Sequence, residues 1–167
     1  MKNINRIISG LLIMLFIVSC SDKWEIVKDS RPDIPVTFDG STSVGFNPYY
    51  SVSFAGDAFT ITLSIPADAK HKIKEITNVV AGATSINVAS LTAAASIQYL
   101  AAPASVDGVT YTLTTSITEY NTKVAAAAKV NSAPAPGTFT ERAFMFKLTM
   151  DDDTVIIPEQ VRIRVIP

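Results

Sequence analysis

One cysteine, one histidine and one tryptophan occur in 167 residues, and each scarcity closes off some chemistry. A single cysteine allows neither an intramolecular disulfide nor a thiolate metal cage. His71 is the only imidazole from which a Ser-His-Asp site could be built, and no serine-elbow motif or suitably spaced carboxylate accompanies it, so it reads as an exposed polar residue. No glycine-rich loop able to cradle a phosphate is present. Lys and Arg number 14 against 15 Asp and Glu, and only Lys70, Lys72 and Lys74 stand close together. The basic face that nucleic acid requires is therefore missing. No catalytic residue, metal, cofactor or nucleic-acid partner is expected.

What is present begins at the N-terminus. Lys2 and Arg6 precede an apolar run, Ile7 to Val18, that stops at Ile17-Val18-Ser19-Cys20. The run is too short to span a bilayer comfortably and fits an export peptide better. The four residues resemble the lipobox of bacterial lipoproteins. That resemblance implies cleavage before Cys20, a diacylglycerol on its thiol, and a membrane partner reached through the lipid. Removing 19 of the 167 residues leaves 148, the size of one domain. Lys2 and Arg6 leave with the signal, so 12 basic residues face 15 acidic ones and the formal charge is near −3. The expected organisation is a signal at 1–19, a lipidated tether at 20–35 containing Trp24, Pro32 and Pro35, and one domain at 36–167. Trp24 is expected to dock on the domain.

Beyond Val36 the dominant period is two. Tyr50, Val52 and Phe54 alternate with serines, and Phe59, Ile61, Leu63 and Ile65 alternate with Thr60, Thr62 and Ser64, as half-buried strands do. Ala55-Gly56-Asp57-Ala58 between them predicts a hairpin, with Gly56 at positive φ. Further strands are expected over Lys72 to Val80, Thr84 to Leu91 and Val109 to Ile117, with turns at Gly82 and Asp107-Gly108. Ala93 to Ala102 is open between helix and strand. Ala125 to Ala128 favour a helical turn within 121–131, and Pro134 and Pro136 end it. Phe144, Phe146, Leu148 and Met150, then Asp151-Asp152-Asp153, then Val161, Ile163 and Val165 predict a second hairpin, with Pro158 at an edge or bulge. About seven short strands and no long amphipathic helix point to an all-β, two-sheet sandwich of immunoglobulin or fibronectin type III kind. A lipocalin-like up-and-down barrel is the alternative, weakened because Trp24 follows Asp22-Lys23 and no Gly-x-Trp opens the first strand.

The remaining candidate chemistry is sparse. Asp151 to Asp153 lack the spacing of a calcium loop and read as a solvated turn. Asp153-Thr154-Val155 is similar to the short sequon at which exported proteins of the Bacteroidota are O-glycosylated, which implies Thr154 as the carrier. Sugar binding needs exposed rings; among Trp24, Tyr49, Tyr50, Tyr99, Tyr120 and Phe139, the ligand-stacking candidates are Tyr49 and Tyr99.

Taken together, the lipobox, the charged residues after Cys20, and Phe-x-Phe-x-Leu-x-Met-Asp-Asp-Asp followed by Pro-Glu-x-Val-x-Ile-x-Val resemble small envelope lipoproteins of Bacteroidota with one immunoglobulin-like domain. The resemblance implies an outer-membrane lipoprotein, periplasmic or surface-exposed, that is not an enzyme and acts as a binding or structural module. The partner is then a glycan or another envelope protein. Two alternatives are an accessory glycan-binding component of a polysaccharide-uptake system, and an adhesin or pilin-type subunit using strand exchange.

Overall fold

A computed structural model describes residues 32–44, 47–93 and 98–167. The expected export signal, Cys20 and Trp24 lie outside the described residues, as does most of the expected tether. Strands β1 (Thr37–Asp39), β4 (Ala58–Ser64) and β7 (Thr110–Ser116) form an antiparallel sheet in the order β1-β4-β7. A larger sheet runs β2 (Thr42–Val44), β3 (Asn47–Ser53), β10 (Val161–Ile166), β8 (Thr140–Met150), β5 (Ile73–Gly82) and β6 (Ala104–Gly108), with β9 (Val155–Ile156) appended to β8. Neighbours are antiparallel except β3 and β10, which run parallel. These two separate sheets make a sandwich of immunoglobulin or fibronectin type III kind, not a closed barrel.

The period-two residues build its core. Phe59, Ile61 and Leu63 from one sheet and Phe144, Phe146, Leu148, Ile163 and Val165 from the other are buried together. Phe144 is the centre: its ring centroid lies 6.0 Å from Phe59, 5.1 Å from Tyr99 and 5.7 Å from Tyr120. Phe38 and Phe146 repeat the contact between sheets at 6.0 Å. Such tilted and edge-on pairs add to the stabilisation from burial alone.

The first expected hairpin is not one. The turn at Phe54 to Asp57 exists, with Asp57 N–H donating to Phe54 O at 3.3 Å, but it carries the chain from one sheet to the other. β3 pairs with β2 and β10, while β4 pairs with β1 and β7. Alternation shows which face of a strand is buried and is silent about its neighbour. Positive φ falls on Asp57 (56°) and not on Gly56; aspartate tolerates this region because its short carboxylate bonds locally. Asp57 Oδ1 accepts from Thr118 N at 2.8 Å, at the first turn of α1 (Ile117–Thr122). That helix begins before the segment expected to be helical, 121–131, which takes in its last two residues and holds the expected turn as a 3₁₀ turn at Ala126–Ala128. α1 and the loop after it lead from the smaller sheet to the larger.

Asp107-Gly108 likewise ends a strand, β6, and the chain then enters β7 in the other sheet; Asp107 has φ 46°. The strand expected over Thr84 to Leu91 is instead a loop ending in a 3₁₀ turn, Val88–Leu91, because Asn87 caps it by accepting from Ala89 N at 2.9 Å. This loop folds Ile86 and Leu91 over Val80, Met145 and Ile157, a small apolar cluster apart from the main core. Gln160 clamps it, accepting from Ile86 N at 3.0 Å and donating to Thr84 O at 3.1 Å. Within the segment open between helix and strand, residues 94–97 lie outside the description and Gln98 forms a bridge to Val80. The last expected hairpin forms as read. Register along β8 slips by one residue between β9 and β10, so Pro158 marks a bulge, and β10 is interior.

Phe144→Ala removes the ring shared by both sheets and is expected to cost about 3–5 kcal/mol, read as a lowered urea midpoint. A loss below about 1 kcal/mol would show that the sheets are held elsewhere.

Candidate binding face and charged turn

Outward residues of β3, β10 and β8 form rows set by register: Tyr49 beside Arg162 and Ala143, then Ser51 beside Arg164 and Glu141. Phe139 continues the outward series just ahead of β8. The Arg164 guanidinium carbon lies 3.8 Å from the Tyr49 ring centroid and 4.1 Å from that of Phe139, so the cation is held against both π faces. Glu141 accepts from Arg164 Nη2 at 2.8 Å and from Arg162 Nη1 at 3.0 Å. Its side chain is only 16% exposed, against 26% for Arg162 and 23% for Arg164. One carboxylate thus serves two guanidinium groups on a partly desolvated face. Arg142, one residue along, donates instead to the carbonyls of Glu141 and Lys129 at 2.7 and 2.9 Å.

Of the two ring candidates, Tyr49 belongs to this face and Tyr99 does not. Tyr99 is 1% exposed, which rules out stacking on a ligand. Its hydroxyl bonds Thr115 Oγ1, which donates to Glu119 Oε2 at 2.9 Å. Lys123 Nζ closes the network, 2.6 Å from Glu119 Oε1 and 3.0 Å from Tyr99 O. Burial pushes the Tyr99 phenol up to about 12, whereas the hydrogen bond from Lys123 holds the Glu119 carboxyl below its usual range. Tyr120 is equally inward, its hydroxyl 2.6 Å from Gly82 O and 3.2 Å from Ala128 O. Tyr50 reaches the carbonyls of Asp39 and Thr62 at 2.8 and 3.0 Å. A tyrosine alternating within a short run looks the same from sequence whichever face it takes. Phe139, also on the longer list of rings, is 50% exposed. Sequence reading overlooked Arg162, Arg164 and Glu141, although Arg162 and Arg164 alternate with buried Val161, Ile163 and Val165, and that spacing already put them outside.

Sequence spacing offered His71 no carboxylate; the fold supplies two. His71 Nδ1 lies 2.8 Å from Asp151 Oδ1 and Nε2 lies 3.3 Å from Asp152 Oδ2. Asp151 also accepts from Lys72 N at 3.0 Å, Asp152 from Thr154 N at 3.1 Å, and Asp153 pairs with Lys74 at 2.7 Å. The three aspartates therefore do separate jobs, and together they tie the start of β5 to the turn after β8. His71, Asp151 and Asp152 offer ligand atoms within 4.8 Å of one another, and are the residues that could hold a cation. The imidazole, however, lies between the two carboxylates, with one ring nitrogen against each, the arrangement of a clamp. Thr154 is exposed beside it.

The Lys72 amide, with His71, holds the Asp151 carboxyl below its usual range, and the Thr154 amide does the same for Asp152. A carboxyl depressed in the folded state stabilises it above the unfolded value, about 3.9, and that contribution disappears as pH falls through the folded value. Asp151→Asn is expected to lower stability at neutral pH and to converge with the parent chain in acid. Denaturation curves across pH check this; a constant gap down to the acid limit would contradict the clamp.

No family model matches the chain, and no curated protein does. Among solved structures the chain is similar to the fibronectin(III)-like modules of Clostridium thermocellum CbhA, at 12% identity, with 78% of this chain and 96% of that chain covered and a TM-score of 0.35. A likeness this loose carries no argument about function.

Proposed function

We propose that the chain is a non-enzymatic, lipid-anchored module of the cell envelope whose sandwich acts as a binding or structural element. The observation that carries the domain's role is how its polar groups are spent. Glu119, Lys123, Thr115 and Tyr99 hold α1 and β7 to the core, His71 and the aspartates hold a turn, and Tyr50 and Tyr120 satisfy carbonyls. Tyr49, Arg162, Arg164 and Phe139, by contrast, keep part of their surface in solvent on strands β3 and β10 and just ahead of β8, a surface suited to contact. Support for the anchor comes from Ile17-Val18-Ser19-Cys20 after a basic and apolar leader. An outer-membrane address and kinship with Bacteroidota lipoproteins follow from the same residues as part of the proposal. The Asp153-Thr154-Val155 sequon lies on an exposed turn, which supports Thr154 as a glycan carrier.

A second reading, strand exchange in an adhesin or pilin-type assembly, has its own support. β7 pairs with β4 on one side and with no described strand on the other. Its sequence, Thr-Tyr-Thr-Leu-Thr-Thr-Ser, carries no charge or proline, the devices that usually guard an edge.

Intact-mass analysis of the protein from its source bacterium is expected to show a chain beginning at Cys20 and bearing diacylglycerol, and Cys20→Ala is expected to accumulate the full-length precursor. Processing indifferent to Cys20→Ala would remove the anchor. A glycan mass on the Thr154 peptide, absent in Thr154→Ala, is expected from the same sample; an unmodified peptide would remove that assignment.

A further inference from the structure

The open face of the larger sheet carries an unbalanced charge. Arg162 and Arg164 share the single carboxylate of Glu141, and the outward positions around them, Tyr49, Ser51, Ser53, Phe139 and Ile166, are all uncharged. Because both guanidinium groups are largely withdrawn from water, the surplus positive charge is less screened than an ordinary surface arginine. Arg162 Nε is buried and meets no acceptor among the described residues, so this guanidinium is not fully satisfied within the fold. Phe139 rests on Arg164 and keeps half its surface open.

We propose that this face binds a glycan bearing carboxylates, of the uronate class. A ligand carboxylate brings the count to two guanidinium groups and two carboxylates, received by the terminal nitrogens that Glu141 leaves free, Arg162 Nη2 and Arg164 Nη1. Arg164 already gives Nε and Nη2 to Glu141, and Arg162 gives Nη1. A pyranose ring then lies against the open part of Phe139, with Tyr49 on the far side of Arg164. The chemistry favours a sugar over an acidic peptide. β10, which carries both arginines, is hydrogen-bonded on both sides by β3 and β8, so an extended peptide has no edge to join there. A sheet face that presents an exposed ring beside charged donors suits an oxygen-rich ring ligand. This inference rests on reading the domain as a binding module and is independent of the lipid anchor.

Affinity electrophoresis of the full-length protein in mild detergent tests it, with polygalacturonate, neutral galactan or polyglutamate in the gel. Retardation by polygalacturonate alone is expected, fading as salt is raised. Arg162→Gln and Phe139→Ala are each expected to weaken it about tenfold, the loss of one charge-assisted bond or one stacked ring. Glu141→Gln, which removes the competing internal carboxylate, is expected to strengthen it severalfold. Phe139 is half exposed and lies outside the core, so its alanine variant is expected to lower the thermal midpoint only slightly, which separates binding from folding. No retardation by polygalacturonate, or retardation untouched by both weakening variants, overturns the proposal. Equal retardation by polyglutamate also overturns it, by assigning the face to acidic peptides. None of these failures alters the mass expected at Cys20, so the two readings fail separately.

Discussion

The packing of Phe144 against Phe59, Tyr99 and Tyr120 is the contact on which the rest of the domain depends. Phe59 belongs to the smaller sheet and Phe144 to the larger, while Tyr99 and Tyr120 come from the connections that join sheet to sheet or follow a strand's edge. A ring at that meeting point stabilises elements distant in sequence at once. It also obliges the tyrosines to find hydrogen-bond partners inside, since a buried hydroxyl without one is costly. Thr115 on β7, Gly82 O at the end of β5 and Ala128 O in the loop after α1 meet that demand, and that loop is positioned as a result.

The division of aromatic residues follows from the same constraint. Tyr99 and Tyr120 are committed to the core, whereas Tyr49 and Phe139 face outward and are gathered by Arg164. Their outward position leaves their rings available. The arginines lie on β10, an interior strand whose backbone is held on both sides. A face organised around them is therefore more rigid than a loop would be, and a rigid face suits recognition better than one that must be ordered on binding. Electrostatics there differ from the rest of a mildly acidic chain: the local charge is positive because Glu141 alone answers two arginines.

Particular strands show how far sequence reading reached. The alternation in β4, β8 and β10 identified their buried faces correctly, because period two is a property of each strand by itself. The segment Tyr50 to Ile65 misled in pairing: a turn of hairpin length joined strands that lie in different sheets. Nothing local distinguishes the two cases, since β3 is claimed by β10, more than a hundred residues away. At Thr84 to Leu91, alternation of Ile86 and Val88 suggested a strand, and the cap at Asn87 with the clamp from Gln160 produced a looped cover instead. His71 was without a partner in sequence and acquired two carboxylates only because β5 and the turn after β8 are neighbours in the sheet.

By itself, then, the sequence determined an all-β chain with a single cysteine and strands whose inward residues could be named. Those properties are local or compositional. Only the tertiary structure decided that Tyr99 is core and Tyr49 surface, that Phe139 shares a cation with Tyr49, and that Arg162 and Arg164 divide one carboxylate. The physical reason is that strand pairing between distant segments selects both neighbours and faces, and a binding surface is a matter of neighbours.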